Sequence, residues 1–475
     1  MVIPEIAWSV ANRLSKKSLL SALSVCKGWH HVFEPLAWTR FIARVKDIDN
    51  PDIINAMTRN GRFVRELVLI DVQEATVDII KHCTRLHTLR LHLDAEPKDQ
   101  RMDAIKSVVL EVILRNQATL RVVDAKHHQA WCDQLYWAVL CCPNLEDLKV
   151  KGSDFSEDIQ NAFWKILPRL KRLYLNSDHF GIPFKENDLF PNLTHLQFDS
   201  SNGRGLLAAT LANHCPNLIA IGINSRNDQT FLEGQTFAFA NERVELEELG
   251  ILLGAIPSMK HIDFNERGYG PTQDSKEYLR VLQRHFDTLE TIDLRQCRWA
   301  QSNIIQGILC SSTHLRVLKA DELSGRDVKQ GKAWVCLGLE EFDVTMVDMR
   351  TKEEDGAASY MDDIFDQLSK LESLKILGLY SFSAYGHDEP PNRMVAPLGF
   401  DLERLQPLRR LRVFTLGLSL QELTVEDALW MVRAWPFLEV IEGRLQMDFF
   451  IFKEIQDILK NHGVMTELTN AFEVD

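Results

Sequence analysis

The sequence predicts an α/β chain that stacks one small strand–helix unit many times over, with a short three-helix segment in front. Three observations predict it. A Leu-x-x-Leu-x-Leu pattern, with other apolar residues allowed, first appears at Val64-x-x-Leu67-x-Leu69 and then recurs down the chain. The intervals between copies carry apolar residues at helical spacing. Ahead of them, Ile6, Val10 and Leu14 stand at i, i+4, i+8 and so share one face of a separate helix.

The pattern recurs fourteen times. Its middle positions are Leu67, Leu89, Val123, Leu148, Leu173, Leu196, Ile221, Ile262, Ile292, Leu318, Phe342, Leu377, Phe414 and a degenerate Ile441. The mean step is about 29 residues, enough for one strand and one helix. The last two apolar residues of each copy alternate, as on a strand with one face buried. Thr76–Cys83, Met102–Arg115, Gln129–Cys141, Gly205–His214, Ser275–Phe286, Asn303–Cys310 and Met361–Leu368 read as the intervening helices. One strand and one helix cannot bury their apolar faces alone, so neighbouring units must stack. Helices are wider than strands. The stack therefore curves, with a parallel sheet on the concave face and helices outside.

A near-copy at Leu246/Leu249/Ile251 lies too close to Ile262 to be a strand of its own, and it reads as an outer helix. The long steps around Ser225–Glu242, Met349–Ser359 and Ser381–Ala396 read as loop insertions rich in Gly, Pro, Asp, Glu and Asn. Met447–His462 reads as an amphipathic helix stopped by Gly463, covering the last strand of an array whose open end would expose a sheet edge. The organisation is therefore a helical segment over 1–50, an array over 51–446 and a capping helix and tail over 447–475.

The net charge of −13, from 67 acidic and 54 basic residues, argues against a broad grip on nucleic acid or on an anionic membrane. No apolar run reaches the length of a membrane span, and the N-terminus does not read as a signal peptide, so a cytoplasmic or nuclear location is expected. The nine cysteines form no Cys-x-x-Cys pair. Cys83, Cys142, Cys215 and Cys336 each stand three residues before a leucine of the pattern, as small buried thiols inside a repeat would.

The first fifty residues are the most specific stretch. Ile3-Pro4-Glu5-Ile6 is followed by Leu14, Leu19-Leu20, Val25-Cys26-Lys27-Gly28-Trp29 and Pro35-Leu36-Ala37-Trp38. Pro4 sits where a missing N–H costs little, and Ser18 can cap a second helix. So few residues cannot bury Trp8, Trp29, Phe33, Trp38 and Phe41 among themselves. In this order the elements resemble an F-box. The opening is one residue short between Pro4 and Glu5 and has Ile in place of Leu. The phrases Cys142-Pro143-Asn144-Leu145 and Cys215-Pro216-Asn217-Leu218 resemble the cysteine-containing repeats of F-box proteins with leucine-rich repeats.

The resemblance implies a substrate receptor of a Skp–cullin–F-box ubiquitin ligase, with no chemistry and no cofactor of its own. It implies that Pro4, Ile6, Leu14, Leu19, Leu20, Val25, Cys26 and Trp29 include the contacts to a Skp-type adaptor, and through it a cullin. Some of them must instead hold the segment together. The array would bind an unidentified protein target, with the chain a monomer inside a larger complex. Other readings are a scaffold that binds the adaptor without ubiquitylation, and a leucine-rich interaction module whose first helices only cap the array.

Strand residues flanking the buried pairs face the concave side. Early ones, Arg90, His92, Lys149, Lys151 and Tyr174, are mostly basic; later ones, Asp263, Asp293, Arg295, Asp343 and Tyr380, carry more carboxylate. Such an asymmetry would select a partner by charge. No catalytic, nucleotide-binding or metal-ligand spacing is present: His127-His128, Glu353-Glu354-Asp355 and the Gly268-Tyr269-Gly270 pair lack the accompanying residues.

Overall fold

The computed structural model describes residues 10, 13–44, 50–70, 80–92, 102–125, 133–151, 156–176, 188–198, 210–223, 236–239, 246–256, 258–264, 275–295, 297, 300–347, 360–381, 402–416, 423–443, 445–446 and 448–467. The chain divides into two compact units, Met1–Asn202 with Thr210–Leu218, and Gly203–Ala209 with Ile219–Asp475.

The first unit opens with helices α1 (Lys16–Leu23) and α2 (Lys27–Ala37). Ser15, not Ser18, caps α1: its side chain accepts from the Ser18 N–H. The helix expected before them, with Pro4 and Ile6, lies outside the described residues apart from a helical Val10. Strand β1 (Arg40–Arg44) follows directly, inside the span expected to be wholly helical. It pairs in parallel with β2 (Glu66–Ile70), bringing Phe41 level with Leu67. Trp38-x-x-Phe41-x-Ala43 is in fact a copy of the repeat pattern, overlaid by the Pro-Leu-x-Trp element. Helix α3 (Pro51–Asn60) lies between these strands, with Asn50 as its cap and Pro51 in its first turn.

Parallel pairing continues through β3 (Thr88–His92), β4 (Val122–Ala125), β5 (Asp147–Lys151), β6 (Arg172–Asn176) and β7 (His195–Phe198). The register aligns Leu67, Leu89, Val123, Leu148, Leu173 and Leu196, so the sequence pattern and the ladder are in phase. All six are buried against a second layer in which α4 (Met102–Arg115), α5 (Asp133–Leu140) and α6 (Glu157–Ile166) pack in succession.

Polar groups tie one repeat to the next. The carbonyl of Arg121 accepts from both Glu146 N (2.8 Å) and Asp147 N (2.9 Å), and Glu146 does the same for Lys171 and Arg172. The Pro-Asn-Leu phrases acquire a physical reason here. Asn144, Asn192 and Asn217 donate from Nδ2 to the carbonyls of Ala118 (2.7 Å), Pro168 (2.7 Å) and Pro191 (2.8 Å), in each case about one repeat back. Asn116 is buried and fully used: its Oδ1 accepts from Leu86 N, and its Nδ2 donates to the carbonyls of Cys83 and Val112, each at 2.9 Å. The thiols of Cys83, Cys142, Cys215 and, in the second unit, Cys336 are buried as expected, and burial pushes each up to about 12.

In the second unit the parallel ladder comprises β8 (Ala220–Ile223), β9 (Thr236–Phe239), β10 (His261–Phe264), β11 (Thr291–Leu294), β12 (Val317–Ser324), β13 (Glu341–Val347), β14 (Ile376–Ser381), β15 (Val413–Thr415), β16 (Val440–Glu442) and β17 (Met465–Glu467). Ile262, Ile292, Leu318, Phe342, Leu377, Phe414 and Ile441 again share one register row, all buried. Helices α7 (Leu246–Ala255), α8 (Ser275–Leu282), α9 (Ser302–Leu309), α10 (Gly325–Gln330) and α11 (Met361–Leu368) pack consecutively, and α12 (Val425–Ala434) packs on α13 (Phe449–Asn461). The rejected near-copy is indeed helix α7.

Two strands correct the sequence reading. β9 lies in the stretch read as the Ser225–Glu242 loop, and it joins β8 to β10. Its frame has Gly234 where the pattern wants an apolar residue, so the copy was invisible. β17 extends the sheet past β16, with Thr466 level with Ile441. Gly463, at φ +79°, turns the chain out of α13 as expected, but the chain then adds an edge strand. The Met349–Ser359 insertion lies outside the described residues, as does Ser381–Ala396 beyond its first residue, Ser381.

Candidate protein-docking surfaces

Helices α1 and α2 close on a small core of Leu19, Ala22 and Phe33, against which Leu14, Leu23, Val32, Leu36 and Ala37 are partly buried. This packing sorts the expected adaptor contacts. Leu19 is 7% exposed and holds the segment together, while its neighbour Leu20 is 51% exposed. Val25 is 62% exposed and Trp29 38%. Cys26 is exposed, and Leu14 is half-buried. Trp29 leans edge-on against Phe33, with ring centroids 5.4 Å apart, so its other side is free for solvent or a partner. Pro4 and Ile6 lie outside the described residues.

The sheet face away from the helices gives a different picture from the sequence. The early basic residues are matched by carboxylates on adjacent strands. Arg90 Nε and Arg40 Nε stand 3.1 Å and 3.3 Å from Glu66 Oε1. Lys149 Nζ is 3.6 Å from Asp124 Oδ2, and Arg172 Nε is 3.9 Å from Asp147 Oδ1. Burial, the larger effect, pushes the Asp147 carboxyl up, although Arg172 and Lys149 oppose it. The expected basic half is thus a mosaic in which Glu66, Asp124 and Asp147 partner Arg40, Arg90, Lys149 and Arg172 but do not outnumber them. The partners were missed because Glu66, Asp124 and Asp147 belong to neighbouring repeats, and only the register sets them opposite. Tyr174 and His92 are half-buried positions on the same face. The side chains of Lys151 and Tyr380 lie outside the described part of the structure.

The second unit keeps its carboxylate excess. Asp263 on β10 faces Asp293 on β11 in register, and Asp293 faces Lys319 on β12, itself level with Asp343 on β13. Arg295 folds back on Asp293: its Nε donates to Oδ1 at 3.0 Å and its Nη2 to Oδ2 at 2.6 Å. Its Nη1 reaches to 3.7 Å from Asp343 Oδ2. Lys319 Nζ is 2.7 Å from Glu341 Oε1. Asp263 receives no such partner: its Oδ1 is buried without a hydrogen bond among the described residues. Burial first, and then the like charge of Asp293, push its carboxyl up to about 6, against the pull of Arg295 and Lys319.

Among the described residues no group of three or more His, Cys, Asp or Glu side chains is arranged to hold a metal ion, and no helix is long and apolar enough to cross a membrane. What the arrangement offers is protein-sized apolar and charged surface.

No protein-family model matches the sequence, and no curated protein matches it. Among solved structures, an internalin (inlF) from Listeria monocytogenes is similar at 11% identity and a TM-score of 0.34, over 86% of this chain and 88% of that one. The yeast Rad7 and Elc1 complex is similar at 11% identity and a TM-score of 0.30, over 98% and 96%. At such scores neither likeness bears on function. The leucine-rich-repeat reading rests on the in-phase parallel ladders described above.

Proposed function

We propose that this chain is the substrate-recognition subunit of a Skp–cullin–F-box ubiquitin ligase. The carrying observation is the split within α1 and α2. Three of the residues that match the F-box pattern, Leu20, Val25 and Trp29, stay substantially exposed beside the core that Leu19, Ala22 and Phe33 form between α1 and α2. Large apolar residues left outside such a core are what a docking segment needs. In this reading they pack on a Skp-type adaptor, and the sheet faces hold a protein target. The chain contributes proximity: tethering a target near a ubiquitin-charged enzyme raises the effective concentration of its lysines, and the other subunits make the bond. It needs no cofactor and acts as one copy within the assembly, in cytoplasm or nucleus.

Affinity capture of the full chain with a purified Skp adaptor tests the reading. Wild type should retain the adaptor, and Leu20→Asp/Val25→Asp should lose it while keeping its fold. Failure of folded wild type to bind removes the ligase reading and leaves a leucine-rich interaction module. Adaptor binding without transfer of ubiquitin to any captured target, in a reconstituted assay, would leave a non-ligase scaffold.

A further inference from the structure

We propose that the solvent-facing side of strands β10 to β13 docks a lysine- or arginine-bearing segment of a partner protein. The proposal rests on the reading of the chain as a receptor and names the chemistry of what it receives. Three observations lead to it.

The first is charge balance. Among the described residues of these strands and their ends, Asp263, Asp293, Glu341 and Asp343 share this face with Arg295 and Lys319, whereas on the corresponding face of the first unit the cations Arg40, Arg90, Lys149 and Arg172 outnumber Glu66, Asp124 and Asp147. The second is that both cations are already engaged. Arg295 is held in a fork on Asp293, and Lys319 sits 2.7 Å from Glu341. Arg295 also reaches Asp343, and among the described residues neither cation forms an ion pair with Asp263. The third is Asp263 itself. It stands directly opposite another aspartate across a ladder, an arrangement that destabilises a sheet. It also keeps a buried Oδ1 that accepts no hydrogen bond among the described residues. A guanidinium or ammonium arriving from solvent would pair with the carboxylate and offset the repulsion. Phosphate-bearing partners, nucleic acid and anionic lipid are repelled by the same field.

The probe is a fluorescein-labelled twelve-residue peptide alternating Lys and Arg with Gly and Ser, with a Glu-substituted twin as control, read by fluorescence anisotropy in physiological salt. Two variants of equal charge change separate the face from the acidity of the whole chain. Asp263→Asn/Asp343→Asn alters the face, and Glu403→Gln/Glu454→Gln alters exposed residues outside the sheet. The expected result is binding of the basic peptide alone, weakened at least fivefold by the first variant and less than twofold by the second. Equal weakening by both variants, or no binding by wild type, overturns the proposal. Adaptor capture is measured on the same preparations. Loss of peptide binding with adaptor binding intact defeats this inference only. Peptide binding without adaptor binding defeats the ligase reading only. Circular dichroism melts confirm that the variants fold.

Discussion

Leu19 and Leu20 are neighbours of the same residue type, and the structure assigns them opposite fates. Leu19 is 7% exposed within the α1–α2 core. Replacing it with Ala removes buried methyl groups and leaves a cavity, costing the segment about 2–5 kcal/mol. Leu20 is 51% exposed, so its replacement changes stability by about 0.5 kcal/mol or less. Binding should show the reverse. Full burial of a Leu or Val contributes about 1.5–3 kcal/mol, so covering the exposed half of Leu20 contributes about 1 kcal/mol, and Val25 about the same. Trp29 has less of its surface free but a larger ring, and adds roughly another 1–2 kcal/mol. Together Leu20→Ala, Val25→Ala and Trp29→Ala should weaken adaptor binding by about 3–4 kcal/mol, at least a hundredfold. Isothermal titration with a purified Skp adaptor, paired with thermal melts of each variant, reads both quantities. A triple variant that binds within threefold of wild type would refute the assignment of the docking face. Equal stability losses for Leu19→Ala and Leu20→Ala would refute the packing.

Asn116→Ala removes three buried hydrogen bonds and strands the Leu86 N–H, so urea denaturation should show a loss of about 2–4 kcal/mol, against well under 1 kcal/mol for exposed Asn144→Ala. In native protein at pH 8, Cys26 and Cys141 should react with a thiol reagent promptly. Cys83, Cys142, Cys215 and Cys336, buried and pushed up to about 12, should react only on unfolding; fast modification of these four would contradict the repeat packing. Asp263 makes stability depend on pH with a definite sign. Its folded carboxyl titrates at about 6, above the unfolded value near 4, so the folded state holds the proton more tightly. The ionised form therefore destabilises the fold as pH rises from about 4 through about 6. Asp263→Asn should raise stability by about 1 kcal/mol at pH 7.5, after allowance for solvent screening, and by almost nothing at pH 4. A gain that is the same at both values would mean that charge is not the cause.

Much of this fold could be read from the sequence because burial in a stacked array is periodic. All fourteen recognised copies fall on strands, and their middle residues form one register row from Leu67 to Leu196 and another from Ile262 to Ile441, while Ile221 and Ile262 each pair with Phe237 of the missed β9. The three missed strands fail for identifiable reasons. β9 and β17 have Gly234 and Gly463 at the first apolar position. β1 satisfies the pattern with Trp38, Phe41 and Ala43 but sits where another motif claims the same residues. In each case the pairing to a neighbour supplies what local composition lacks, since backbone hydrogen bonds to an existing strand do not require a leucine.

The docking surfaces were legible only as lists of residue types. Helical periodicity places Leu19 and Leu20 a hundred degrees apart but cannot say which direction is inward when both are apolar. The position of Phe33, fourteen residues beyond Leu19 in another helix, decides it. The charged face has the same logic on a larger scale. Arg90 and Lys149 look like a basic surface until the register brings Glu66 and Asp124 beside them from adjacent repeats. Asp263 looks like one acid among several until the register sets Asp293 against it. In a repeat protein the sequence along one unit fixes what each unit buries. What the face presents to a partner depends on pairs drawn from different units, and those pairs are properties of the stack.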